Sequence, residues 1–312
     1  MHKDPVHKDI PSRYFTRSLN YLLLLSLIII QGCTRPAASH KLQVVASIEP
    51  LAYFVDRVGG ERVTVSVMVP PGGDPHSYEP TPKQMERLGE AVLFVKAGSG
   101  VEFELDWMER FLDINRKLVV CDASSGVILI PMASSSHDHE EPSGDGNHHH
   151  GREDPHFWLS PQNARAIAAN VERSLAAVDP ANREYYAANR ARLDRELQAL
   201  DREIRDRLSG QKNRHFLVFH PAWGYFAHDY GLEQIAAEEE GKTLTPVQMK
   251  RVIDKARAER IGVVFVSPQF STTQADAIAR DIGGKTVMVD PLSRDYQQNL
   301  RQATAAFIGG MQ

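Results

Sequence analysis

Residues 181 to 208 form an unbroken, highly charged segment with no glycine or proline until Gly210. Within it Tyr186, Leu193, Leu197, Leu200, Ile204 and Leu208 recur at spacings of three, four and seven, which marks one buried stripe on a mostly exposed helix. At 1.5 Å per residue such a helix would run roughly 40 Å. That reach suits a connector between two lobes, and equally a long packing helix inside one; the segment alone leaves both open.

What flanks it is the same pattern twice. Before it, apolar runs at Leu42 to Ile48, Val63 to Val69, Ala91 to Val95 and Leu118 to Cys121 predict strands, with helices near 50–58, 82–88 and 102–114 and another from Ser160-Pro161 to about Val178. After it, Phe216 to Phe219, Gln234 to Ala237, Ile261 to Val266 and Thr286 to Val289 predict strands, with helices near 222–230, 246–258, 272–282 and 295–308. Thr81-Pro82-Lys83-Gln84 and Thr245-Pro246-Val247-Gln248 each supply an N-cap, a proline at the first helical position and a glutamine three residues after the cap. The alternation argues for an α/β fold with a mostly parallel sheet in each half, covered on both faces. With 312 residues, 42% of them hydrophobic, the chain has length for about two domains.

The N-terminus carries Lys3, Lys8, Arg13 and Arg17, then an apolar run from Tyr21 to Ile30, then Gln31-Gly32-Cys33. The run falls short of the roughly twenty apolar residues a spanning helix needs and reads as a signal peptide over 1–32. Gly32-Cys33 resembles a bacterial lipobox, which makes Cys33 the expected lipidated first residue of an exported, periplasmic or cell-surface, membrane-anchored protein. The only other cysteine, Cys121, then has no partner, and its apolar run makes it a buried strand residue rather than a reactive thiol. Net charge is -4, with no basic face, so nucleic acid is not an expected partner.

Between Pro131 and Pro161 lies a loop of Ser, Gly, Asp, Glu and Pro that holds His137, His139, His148, His149 and His150 and runs into Asp154-Pro155-His156-Phe157-Trp158-Leu159-Ser160-Pro161. Such residues build no core, and a mid-chain His-rich tract points to metal. In open α/β sheets ligands sit beyond the carboxyl ends of strands, and four predicted loops offer a donor there: His76, His156, His220 and Asp290. A proline adjoins each, fixing the backbone around it. Taken singly, each histidine is as readily a polar core residue and Asp290 a turn residue. Two from each half read together as one shell, three imidazoles and a carboxylate, of the tetrahedral kind that suits Zn²⁺.

Gly72-Gly73-Asp74-Pro75-His76-Ser77-Tyr78-Glu79-Pro80-Thr81-Pro82, the Asp154–Pro161 stretch, Phe219-His220-Pro221-Ala222-Trp223-Gly224-Tyr225-Phe226 and Asp290-Pro291-Leu292 resemble, in order, the four signature segments of the metal-binding receptors of bacterial zinc and manganese ABC importers. The similarity runs from Val44 to Phe307. It implies two (β/α) lobes, 33–180 (with the His-rich loop 132–153) and 210–312, joined by a rigid helix over 181–209, one metal in the cleft, and hand-over to a membrane permease driven by an ATPase. It makes His76, His156, His220 and Asp290 the ligands; the five loop histidines, as weak, exchangeable sites tethered beside the cleft, are expected to raise the local metal concentration. Manganese relatives usually carry Glu where His220 stands, so the resemblance favours zinc over Mn²⁺. Pro75, not an acidic residue, precedes the first ligand, which excludes a glutamate ligand from that loop, and the cysteine pair of some zinc receptors is missing.

The expectation is therefore a monomeric zinc receptor and not an enzyme, with a manganese or iron receptor as the alternative. A zinc-dependent hydrolase is the rival from another class. It would need an open coordination position and a general base, and neither His-Glu-x-x-His nor Gly-x-Ser-x-Gly occurs.

Overall fold

A computed structural model describes residues 1–2, 41–132, 153–238 and 243–311. The expected signal peptide, Cys33 and the accessory histidines 137, 139, 148, 149 and 150 lie outside the described residues. Residues from Lys41 onward form one unit.

Its first lobe holds β1 (Leu42–Ala46), α1 (Glu49–Gly59), β2 (Val63–Val67), α2 (Pro82–Glu90), β3 (Leu93–Lys96), α3 (Glu102–Ile114) and β4 (Val119–Asp122), followed by α4 (Pro161–Val178). Next comes the long α5 (Arg183–Leu208). The second lobe holds β5 (His215–Val218), α6 (Gly224–Tyr230), β6 (Glu233–Ala236), α7 (Pro246–Ala258), β7 (Val263–Val266), α8 (Thr273–Asp281), β8 (Lys285–Met288) and α9 (Tyr296–Gly310). Among the described residues every pairing between these strands is parallel, and the two four-stranded sheets have equivalent orders, β2-β1-β3-β4 and β6-β5-β7-β8. The strands and helices fall within about two residues of their predicted positions, as is usual for element ends.

Local chemistry explains the helix starts. Thr81 and Thr245 each form a full capping box with Gln84 and Gln248, and the Ser160 hydroxyl accepts from the Asn163 amide at 3.1 Å. On β7, Val263 and Phe265 face one apolar cluster while Val264 and Val266 face another, the period-2 alternation of a strand buried on both faces. Cys121 is buried, and that burial pushes its thiol pKa up.

The buried stripe of α5 is the one the spacing predicts: Tyr186, Leu193, Leu197, Leu200, Ile204 and Leu208 are all at most 1% exposed. Asn189 is buried among them, its side-chain amide donating to the Val58 carbonyl at 3.0 Å. The helix packs on α1 and α4 of the first lobe and on α9 of the second. Truncating one of its buried leucines to alanine would cost about 2–5 kcal/mol. One continuous apolar cluster runs through both sheets, and polar bonds stitch the lobes beside it. Trp158 Nε1 donates to the Pro291 carbonyl (2.9 Å), and the Tyr296 hydroxyl donates to the Trp158 carbonyl (2.8 Å). Arg294 reaches Glu49 at 3.2 Å and Asp56 at 2.7 Å.

Candidate metal centre

Three of the four expected ligand loops begin with Asp-Pro, and all three fold the same way. Asp74 Oδ1 accepts from the His76 amide, Asp154 Oδ1 from the His156 amide and Asp290 Oδ1 from the Leu292 amide, each at 2.9 Å. These are Asx turns, in which an aspartate bonds the backbone two residues on. The intervening proline has no N–H to compete and pre-sets the turn. The loop that carries each donor is thus stiffened before any tertiary contact is made.

Two of these turns bring His76 and His156, and the end of β5 brings His220, to one small cavity of about 10 Å³, which Pro75, Gln269, Phe270, Pro291 and Leu292 also line. A space of that size holds one water or one ion. His156 and His220 are each 5% exposed, whereas the His76 side chain keeps 22% of its surface in solvent. The His156 and His220 rings meet edge to face, as do those of His76 and His220, each pair with centroids 5.2 Å apart. Asp290 does not itself line the cavity; its neighbours Pro291 and Leu292 do, as does Gln269, whose amide Nε2 donates to Asp290 Oδ1 at 2.8 Å. Among the described residues no group of three or more His, Cys, Asp or Glu side chains stands in a ready-made metal cage.

Each of the three imidazoles has its Nδ1 on a carboxylate oxygen: His76 on Glu102 (2.9 Å), His156 on Asp154 (2.8 Å) and His220 on Glu238 (2.5 Å). An ionised carboxylate only accepts, so Nδ1 carries the proton and Nε2 is left as a bare lone pair. The carboxylate–imidazole pair is the arrangement that orients histidine ligands and raises their basicity at metal sites. The Nε2 atoms of His156 and His220 lie 3.3 Å apart. With both lone pairs aimed into the gap the contact is repulsive until a cation lies between them. Two nitrogen ligands at 2.0–2.1 Å on a tetrahedral ion stand about 3.3–3.4 Å apart, which is the spacing found.

Electrostatics separate the imidazoles. Burial, helped by the neighbouring His156 and His76, lowers the pKa of His220 against the opposing pull of Glu238. Burial also acts downward on His76, but the hydrogen bond and charge of Glu102, with the charges of Asp74 and Glu238, outweigh it and raise the pKa. His220 is therefore held neutral, while His76 gives up its proton later as pH rises.

Glu102, Glu238 and Gln269 escaped the sequence reading. Glu238 follows β6 and Gln269 follows β7, so each strand of the second lobe is followed at its carboxyl end by a residue that lines the cavity or bonds to one that does: His220, Glu238, Gln269 and Asp290 in the order of the strands β5 to β8. That rule about strand ends is the one signal that points to Glu238 and Gln269; Glu102, at the start of α3, carries none. For Asp154 the signal was local, in Asp-Pro-His itself.

A two-lobed α/β fold with imidazoles gathered between the lobes defines a metal-binding solute receptor. The model of the family described as zinc-uptake complex component A, periplasmic, matches residues 44–310, and the chain belongs to that family, ZnuA. It is 30% identical over 254 residues to the high-affinity zinc uptake system protein ZnuA of Bacillus subtilis, a match covering 81% of this chain and 79% of that one. It is 29% identical over 283 residues to the zinc-binding lipoprotein AdcA of Streptococcus pneumoniae. There the match covers 88% of this chain but 55% of AdcA, so the chain spans about half the length of that relative. A crystal structure of ZnuA superposes with a TM-score of 0.80 at 36% identity, covering 87% of this chain and all of the other. The expected two-lobe fold and zinc-type receptor family are thus borne out.

Proposed function

We propose that the protein is an extracytoplasmic receptor that binds one Zn²⁺ in the inter-lobe cavity and hands it to the permease of an ABC importer. The observation that carries this reading is the pair of Nε2 atoms of His156 and His220 at 3.3 Å, each ring locked on a carboxylate through its other nitrogen. His76 is the third donor and Asp290 the fourth. The family, and the zinc proteins it includes, support the cargo and the partner.

The reading includes export and anchoring through a lipid on Cys33, a monomeric receptor, and capture of metal by His137, His139 and His148 to His150 ahead of the cleft. A receptor is favoured over a hydrolase because four protein donors fill a tetrahedral shell, leaving no position for a water nucleophile. Manganese or iron is the alternative cargo. Three nitrogen donors argue against Mn²⁺, which prefers oxygen.

Native mass spectrometry of the protein offered equal Zn²⁺, Mn²⁺ and Fe²⁺ tests the reading. One tightly held zinc, lost in both His156→Ala and His220→Ala, is the expected result. Preferential manganese retention, or zinc retained by both variants at the cleft, would overturn it.

A further inference from the structure

The loop after β7 carries Gln269 and Phe270 to the cavity, and neither is a donor in the reading above. We propose that this pair fixes the coordination number of the metal centre at four, and so sets its preference for zinc over manganese. The proposal rests on the zinc-site reading and deepens it.

Asp290 Oδ1 accepts two N–H donors, the Gln269 side chain at 2.8 Å and the Leu292 backbone at 2.9 Å. With that oxygen occupied, Asp290 offers a metal one oxygen and not two. A single carboxylate oxygen completes a four-coordinate shell with three imidazoles, whereas a bidentate carboxylate would make it five. Orientation of the Gln269 amide follows from the carboxylate, since only Nε2 can face it. The opposite end is costly: Gln269 Oε1 is buried with no hydrogen-bond partner among the described residues. A buried amide left half satisfied destabilises the fold, so packing alone does not account for a glutamine here. Holding Asp290 does.

Phe270 closes the shell from another side. Its ring lies 4.7 Å from the His220 ring and 6.0 Å from the His76 ring, centroid to centroid, tilted 42° and 38° to them. It therefore covers the two imidazoles on the cavity wall with a surface that donates no ligand and admits no water. Zinc is satisfied with four donors, while Mn²⁺ seeks an octahedral, oxygen-rich shell. Gln269 withholds one extra oxygen and Phe270 withholds the others. Both act through the shell without touching the charge of the ion, so Gln269 is a positioning residue and Phe270 an excluding one.

Cobalt(II) reports coordination number directly, because four-coordinate Co²⁺ absorbs visible light far more strongly than five- or six-coordinate Co²⁺. The Co²⁺-loaded full chain is expected to show intense four-coordinate bands. In Gln269→Met, which keeps length but cannot donate, and in Phe270→Ala, the bands should weaken. The ratio of Mn²⁺ to Zn²⁺ affinity should rise about tenfold, the scale of one hydrogen bond to a charged group. Melting in chelator identifies any variant that fails to fold, and the two variants act by separate routes. An unchanged cobalt spectrum and metal ratio in the folded variants would overturn the proposal. So would weak bands in the unaltered protein, or an unchanged spectrum in Asp290→Ala. Cobalt bound with full strength by His156→Ala sinks the underlying site instead, and so separates the two failures.

Discussion

His156 and His220, sixty-four residues apart, face each other Nε2 to Nε2 at 3.3 Å while their Nδ1 atoms rest on Asp154 and Glu238. Each carboxylate fixes which nitrogen is protonated, and the two together turn a pair of ordinary imidazoles into converging lone pairs. The site's chemistry follows from that arrangement.

Replacing Glu238 by glutamine keeps its volume but removes the charge that orients His220. Zinc affinity should fall about 10–100-fold, the range found when carboxylate partners of metal-bound histidines are changed. Competition against a chromophoric chelator measures it. Affinity within twofold of the unaltered protein would show that Glu238 is only a packing residue.

Acid should release zinc, and through His76 before His220. Its pKa is raised and that of His220 lowered, so as pH falls His76 takes up a proton while His220 is still neutral. A protonated imidazole cannot ligate. Affinity is therefore full above the raised His76 pKa and declines as pH drops through it. Glu102→Gln removes the group that does the raising and should move that midpoint to lower pH. A titration of zinc affinity against pH gives both midpoints, and a shift upward, or none, would count against the assignment.

Zinc should stabilise the fold. A ligand at a thousand times its Kd adds about 4 kcal/mol, which for a chain of this size corresponds to a rise of roughly 10 °C in melting temperature. Calorimetry with zinc and then with excess chelator should show the rise and its reversal. Equal melting under both conditions is incompatible with a cleft site.

Gly224 stands against the buried Asp154: a Cβ there would come within 2.4 Å of Asp154 Oδ2. Gly224→Ala should force that carboxylate off His156, costing about 1–3 kcal/mol of stability by overpacking and weakening zinc binding with it. Gly210→Ala, with nothing within 4 Å of its Cβ position, serves as the matched control. Denaturant unfolding and zinc titration of both variants distinguish a local clash from a general intolerance of alanine.

Deletion of residues 137–150 should lower the number of weakly bound zinc ions while leaving the single tight site intact, and uptake should fall when zinc is scarce. This is the effect expected of a tethered chelator that raises local concentration. Unchanged stoichiometry and uptake would remove the capture role.

Much of the fold was legible in the chain because its signals are local. The capping boxes at Thr81 and Thr245 and the stripe on α5 each involve residues a few positions apart, and each folds as its spacing predicts. The prolines beside His76, His156, His220 and Asp290 are local too, which is why those four could be singled out by their neighbours. Glu102, Glu238 and Gln269 carried no such mark. They lie 26, 18 and 21 residues from the partners they hold, and nothing in their own neighbourhoods separates them from other polar residues near strand ends.

By itself, then, the sequence determined two parallel α/β halves, a long helix between them, and three histidines and an aspartate each set beside a proline at a strand end. Periodicity and turn chemistry act over a few residues and need no partner. Only the tertiary structure decided which carboxylate each imidazole meets, and so which nitrogen is left bare. It also brought Gln269 to Asp290 and Phe270 over His76 and His220. Those choices depend on the packing of separate strand ends around one cavity, and a distance across a cleft has no counterpart in the order of residues along the chain.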